Sequence, residues 1–159
     1  MRFNFIHSNR KSTWRIPLLL FTLWFVATAF NITKPYHIDD TGHLEIAEWL
    51  AEHPTHPMSG YINWGDSPAP IHLLNQPHLY FYLLGFYIKL FGVNEITTHL
   101  FQSFFTLLAI VFFYKLVCVH CQKHVFFPVF FLALCPAFVV GQNLMTDVPL
   151  LSLWILFYY

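Results

Sequence analysis

Apolar residues in this chain arrive in long, nearly unbroken blocks, not at the spacing of a helix with one greasy face. Ile16 to Ile32 is a run of 17 residues, Ile96 to Val119 one of 24, Val125 to Val140 one of 16, and a fourth block opens at Asp147 and continues to Tyr159. A helix needs roughly 20 apolar residues to cross a bilayer, and somewhat fewer if flanking side chains reach out to the interface. The blocks therefore predict an all-α fold, a multi-pass transmembrane helix bundle with spans at about 16–32, 96–119, 125–140 and 148–159, the last cut short. The early stop makes residues 1–159 read as the N-terminal part of a longer membrane-embedded domain.

The segment from 33 to 95 has a different texture. Leu44, Ala47, Leu50 and Ala51 recur at helical spacing, so a surface helix is expected there, capped by Asp39, Asp40 or Thr41 and stopped by Pro54. Residues 54 to 77 are rich in Pro, Gly, Ser and Asn and should be irregular. The run Leu79 to Phe91 has 13 residues, which reach only about 20 Å as a helix, and it carries Lys89 with Tyr80, Tyr82 and Tyr87. It fits a second juxtamembrane helix lying on the outer surface, interfacial or re-entrant.

Composition sharpens the class. The chain is 57% hydrophobic and 10% charged, where a soluble domain carries about 25% charged residues. A soluble enzyme, a disordered tail and a nucleic-acid binder are excluded. Arg2, Arg10, Lys11 and Arg15 precede the first block and no acid appears before Asp39, so the N-terminus is expected in the cytoplasm. Six of the eight acids fall between Thr33 and Pro77, after that block, which places residues 33–95 outside. The basic turn with Lys115, His120, Lys123 and His124 is then cytoplasmic, and 142–147 returns to the outer face. Ala27-Thr28-Ala29 also resembles a signal-peptidase site, but the further membrane segments favour an uncleaved span.

Cys118, Cys121 and Cys135 cannot form a disulfide framework, and Cys118-x-x-Cys121 lacks the second ligand pair of a zinc site. The outer histidines His37, His43, His53, His56, His72 and His78 match no ligand spacing and read as ordinary polar residues. No metal ligands are assigned and no cofactor is called for, although a divalent metal stays open.

Acids at a span's end are candidates for chemistry. Asp39-Asp40 lies between the first span and the surface helix, where a carboxylate can take a proton from an attacking hydroxyl; the plainer reading is a helix cap. Asp147 opens the fourth block, either as a cap or as a second acid facing the same site. On the second span, His99, Gln102, Ser103 and Thr106 follow i, i+3, i+4, i+7 spacing, a polar stripe that should point into the bundle and bond between helices.

The order of these parts resembles the GT-C fold membrane glycosyltransferases, in particular the phospholipid-carrier-dependent family that includes protein O-mannosyltransferases and the bacterial aminoarabinose transferase. Asp39-Asp40-Thr41-Gly42-His43-Leu44-Glu45-Ile46-Ala47 fits the family's acidic pair opening a juxtamembrane helix, with Asp for the usual Glu and His43 for an aromatic. Gln76-Pro77-His78-Leu79-Tyr80 and Lys89-Leu90-Phe91-Gly92 stand in for the segment that leads and ends the second such helix, with His78 replacing a proline. Thr146-Asp147-Val148-Pro149-Leu150 matches the start of a later span. The resemblance implies transfer of a sugar from a polyprenyl (dolichyl or undecaprenyl) phosphate carrier to an acceptor hydroxyl outside the membrane. It implies Asp39 as base beside Asp40, with Asp147 as a second acid, and Gln76, His78 and Tyr80 near the substrates; His99 is a substrate-side candidate from the polar stripe itself. The implied partners are the lipid-linked donor and membrane lipid, with no nucleic acid. The implied setting is a bacterial inner membrane in preference to the endoplasmic reticulum. A transporter, or a structural membrane subunit without transferase activity, would share the span count and the polar stripe.

Overall fold

The computed structural model describes residues 14–63, 65–74, 78–121 and 123–159. Helices α1 (Arg15–Ala29), α2 (Ile38–Glu52), α3 (His78–Phe91), α4 (Glu95–His120), α5 (Phe126–Ala133), α6 (Pro136–Val140) and α7 (Asp147–Tyr158) carry the fold. Between α2 and α3, two-residue strands β1 (Tyr61–Ile62) and β2 (Ala69–Pro70) pair antiparallel, and a short 3-10 turn follows at Ile71–Leu73. Ile62 and Ile71 are buried from this otherwise irregular stretch and tie it to the core.

Helix α4 is the axis of the bundle and packs against α7, α1, α5 and α3. Ile16 and Pro17 of α1 lie beside Tyr114 and Lys115, whereas the Tyr36 hydroxyl, beyond the other end of α1, meets Thr98 Oγ1 at 3.1 Å, so α1 and α4 are antiparallel. Gln102 reaches the backbone just before α7, and Phe112 meets Tyr159 at its far end, so α4 and α7 are parallel. The directions define two ends: an acidic one holding Asp39, Asp40 and Asp147, and a basic one holding Arg15 and Lys115.

Helices α2 and α3 form a packed pair at the acidic end. Gly85 makes their approach close: a Cβ there would stand 2.5 Å from the Ala47 carbonyl oxygen. Leu44, Ala47 and Leu50 face inward as their spacing predicts, and α2 ends before Pro54. Helix α3 stops at Gly92, whose positive φ of 80° lets its N–H return to the Ile88 carbonyl at 2.8 Å. Asn94 then caps α4 by accepting the Thr97 N–H at 3.0 Å.

Two sequence expectations change. Residues 125–140 are not one helix: Pro136 supplies no N–H and holds Cys135 extended (φ −60°, ψ 128°), so the run splits into α5 and α6. The cap of α2 is His37, not Asp39, Asp40 or Thr41, and the cap of α7 is Thr146, not Asp147. Among the described residues, α4 alone is long and apolar enough to cross a bilayer by itself, while α1 and α7 are shorter apolar helices. Phe21, Phe25, Phe127, Phe131, Trp154 and Phe157 lie exposed on the bundle's sides, a surface that lipid solvates and water does not.

Candidate active site

The two adjacent aspartates have opposite surroundings. Asp40 is fully buried; its Oδ2 accepts the His37 N–H at 2.7 Å and its Oδ1 accepts the Leu144 N–H at 2.7 Å. The first bond is half of a capping box, and the second reaches the turn before α7, so Asp40 staples α2 to a segment distant in the chain. Asp39, one residue earlier, keeps a partly exposed carboxylate (29%) whose neighbour is the exposed ring of His37, Nδ1 to Oδ2 3.3 Å. Among the described residues, no backbone N–H is bonded to it.

The turn that receives Asp40 and the end of α6 before it are held by side-chain hydrogen bonds to several elements. The Asn31 amide donates to Val139 O at 2.8 Å, the Gln142 amide to Ala27 O at 2.9 Å, and the Gln102 amide to Met145 O at 3.0 Å. His43 Nδ1 lies 2.7 Å from Leu144 O, and Lys34 Nζ donates to Asn143 Oδ1. Buried backbone polar groups in an apolar bundle need partners, and here side chains supply them. His43, Asn31 and Gln142 were not candidates on sequence; nothing at Gln142 distinguishes it from a loop residue. His37 did carry a signal, since His37-x-x-Asp40 has capping-box spacing.

The polar stripe of α4 is buried as its spacing predicts: His99, Gln102, Ser103 and Thr106 are all shielded from solvent. Gln102 is the hub, accepting the Tyr80 hydroxyl at 3.0 Å while donating to Met145 O. Burial pushes the Tyr80 phenol well above its ordinary pKa of 10, with the charge of Asp40 adding to the rise, so it stays a donor. His99 lies against the Tyr36 ring, centroids 5.9 Å apart. The Ser103 carbonyl accepts the Trp24 indole N–H at 2.9 Å and so joins α1 to α4.

Among the sequence candidates, Asp40, Tyr80 and His99 thus lie around one polar layer, with Asp39 on its rim. His78 opens α3 with Nδ1 buried and without a hydrogen-bond partner among the described residues. Gln76 lies outside the described residues. Asp147 is exposed in the first turn of α7 and lines a groove of about 420 Å³ with Phe138, Gly141 and Leu151. No hydrogen bond or ion pair joins it to Asp39 or Asp40 among the described residues. A second groove, of about 110 Å³, runs between α3, α4 and α7, lined by Leu79, Leu83, Phe105 and Leu153 and almost wholly apolar. No cluster of three or more His, Cys, Asp or Glu that could hold a metal occurs among the described residues.

Lys34 is a cation within electrostatic reach of Asp40. Burial lowers its pKa from the usual 10.5, and the charge of Asp40 only partly opposes this. Both Asp40 oxygens are taken by backbone N–H groups, so the ammonium has a neutral amide for a partner and donors to spare.

A helical bundle sheathed in apolar side chains, with a polar layer at one end, has the make-up of an integral membrane protein. The sequence model of the dolichyl-phosphate-mannose-protein mannosyltransferase family matches residues 75–159, more than half of the chain, and the chain belongs to that family. The family is one of integral membrane glycosyltransferases of the GT-C type. No curated protein and no solved structure matches the chain.

Proposed function

We propose that this chain supplies the catalytic end of a glycosyltransferase that takes a sugar from a polyprenyl-phosphate carrier and transfers it to an acceptor hydroxyl on the extracytoplasmic side. One observation carries the choice of base: of two adjacent acids, Asp40 has both oxygens occupied by backbone N–H groups, and Asp39 has a carboxylate open to solvent. A base must reach the proton it removes, and of this pair Asp39 is the one that can. Asp39 takes the proton as the acceptor oxygen attacks the anomeric carbon, and the carrier phosphate leaves. Lys34 is the cation suited to the departing phosphate, and the apolar groove between α3, α4 and α7 suits an isoprenoid chain.

Residues 33–95 and 142–147 face outside in this reading, and the setting is a bacterial inner membrane. Asp147 lines a different groove and serves acceptor binding, not proton removal. The test is sugar transfer from a polyprenyl-phosphate donor by the intact protein in its native membranes. Asp39→Asn should lower turnover by about 10² or more at unchanged donor binding, while Asp147→Asn acts chiefly on the acceptor KM. Normal turnover in Asp39→Asn would sink the mechanism.

A further inference from the structure

We propose that His37 is the proton-accepting partner of Asp39, a positioning residue that clears the base after each transfer; this rests on the reading of Asp39 as base. His37 Nδ1 lies 3.3 Å from the Asp39 backbone N–H nitrogen and 3.3 Å from Asp39 Oδ2. It cannot serve both in one protonation state. A neutral ring that accepts the backbone N–H at Nδ1 carries its proton on Nε2. A ring protonated at Nδ1 donates to Oδ2 instead and gives up the cap bond.

The exchange is cheap for the fold. The cap bond sits at the long end of the N–H donor range, whereas the other half of the capping box, His37 N–H to Asp40 Oδ2, is short at 2.7 Å and does not involve the ring. The start of α2 therefore survives while the ring changes partner.

The titratable groups nearest to them in sequence already have partners. Asp40 accepts from two backbone N–H groups, Lys34 donates to Asn143, and the Tyr36 hydroxyl pairs with Thr98. His37 is exposed to solvent (52%), so a proton delivered to it has a way out.

The step balances without a co-reactant. As the new bond from acceptor oxygen to anomeric carbon forms, the carbon–phosphate-oxygen bond breaks and the acceptor proton moves to Asp39. Oδ2 passes that proton to His37 Nδ1, which restores the carboxylate and leaves an imidazolium. The imidazolium yields its Nε2 proton to water, and exchange with water then moves the remaining proton from Nδ1 to Nε2, which restores the ring that accepts the Asp39 N–H.

The cap and the relay separate by substitution. Asn is among the best caps but cannot carry a proton, and Ala does neither. In the intact protein in native membranes, His37→Asn should melt with the wild type and keep its donor KM, yet turn over about tenfold more slowly. His37→Ala should be at least as slow, and added imidazole should restore part of its turnover while leaving Asp39→Asn unaffected. Wild-type turnover in His37→Asn beside a collapsed Asp39→Asn would overturn the relay and leave the base reading intact. Failure of imidazole to raise His37→Ala would likewise overturn it. Near-normal turnover in Asp39→Asn would overturn the base reading itself, and the relay with it.

Discussion

The two ends of the bundle are held together by different physics. At the acidic end, seven elements or turns meet through directed bonds: Asp40 to the Leu144 N–H, Gln102 to Met145 and Tyr80, Gln142 to Ala27, Asn31 to Val139. Among the described residues of the basic end, ring contacts prevail. Tyr114 stacks on Phe126 with centroids 5.8 Å apart, and Lys115 sits 4.9 Å from the Phe112 ring and 5.1 Å from that of Tyr159. Undirected contacts tolerate sliding, whereas a donor and acceptor fix position to a fraction of an ångström. Precision is concentrated at the end that holds the open carboxylate, which is where a reaction would need it.

The contrast is most exposed to challenge at Asp40. Asp40→Ala leaves the buried Leu144 N–H and the part-buried His37 N–H without acceptors; the first alone costs about 1–3 kcal/mol, so a loss of about 2 kcal/mol or more is expected. Thermal unfolding in detergent checks this, and Asp40→Asn should lose less because its amide oxygen still accepts one N–H. A melt for Asp40→Ala at the wild-type temperature would mean the directed bonds do not hold this end.

Gln102→Leu should cost about 1–3 kcal/mol, since the Tyr80 hydroxyl and the Met145 carbonyl both lose a buried partner. Gly85→Ala belongs in the same range for a different reason: a Cβ 2.5 Å from a backbone oxygen forces α2 and α3 apart. The same melts measure both, and the Gly85 variant should also disturb transfer because α2 carries Asp39.

Lys34→Gln sharpens the comparison by separating stability from function. The folded-state pKa of Lys34 is depressed below 10.5, so the unfolded chain binds its proton more readily within the window between those values. The penalty is present in full below the depressed value and is relieved as pH rises through it. Wild-type stability should therefore climb relative to Lys34→Gln as pH rises toward 10.5, while at neutral pH the variant is no less stable but has a higher donor KM. A flat difference between the two melts across that window would show that burial does not tax the ammonium.

The smallest effect belongs to the basic end. Lys115→Ala removes a cation held against two rings near the bundle surface and should cost at most about 1 kcal/mol, with transfer unchanged. A large loss of transfer there would erase the division between the ends.

Much of this was legible in the chain itself, because it depends on local repetition and bulk composition. Block length set the helices, and the scarcity of charge set the membrane class. The spacing of His99, Gln102, Ser103 and Thr106 set which face of α4 turns inward, and that of Leu44, Ala47 and Leu50 did the same for α2. Pro136 was in plain view as a breaker, but the apolar run around it outweighed the missing N–H until α5 and α6 were seen apart. The difference between Asp39 and Asp40 could not be read in this way. It depends on the Leu144 N–H, 104 residues further along, reaching one carboxylate and not its neighbour. A backbone donor is the same in every residue but proline, so its sequence position carries no mark of the side chain it will meet. Only the packing of α2 against the turn before α7 decided which acid became a staple and which was left open.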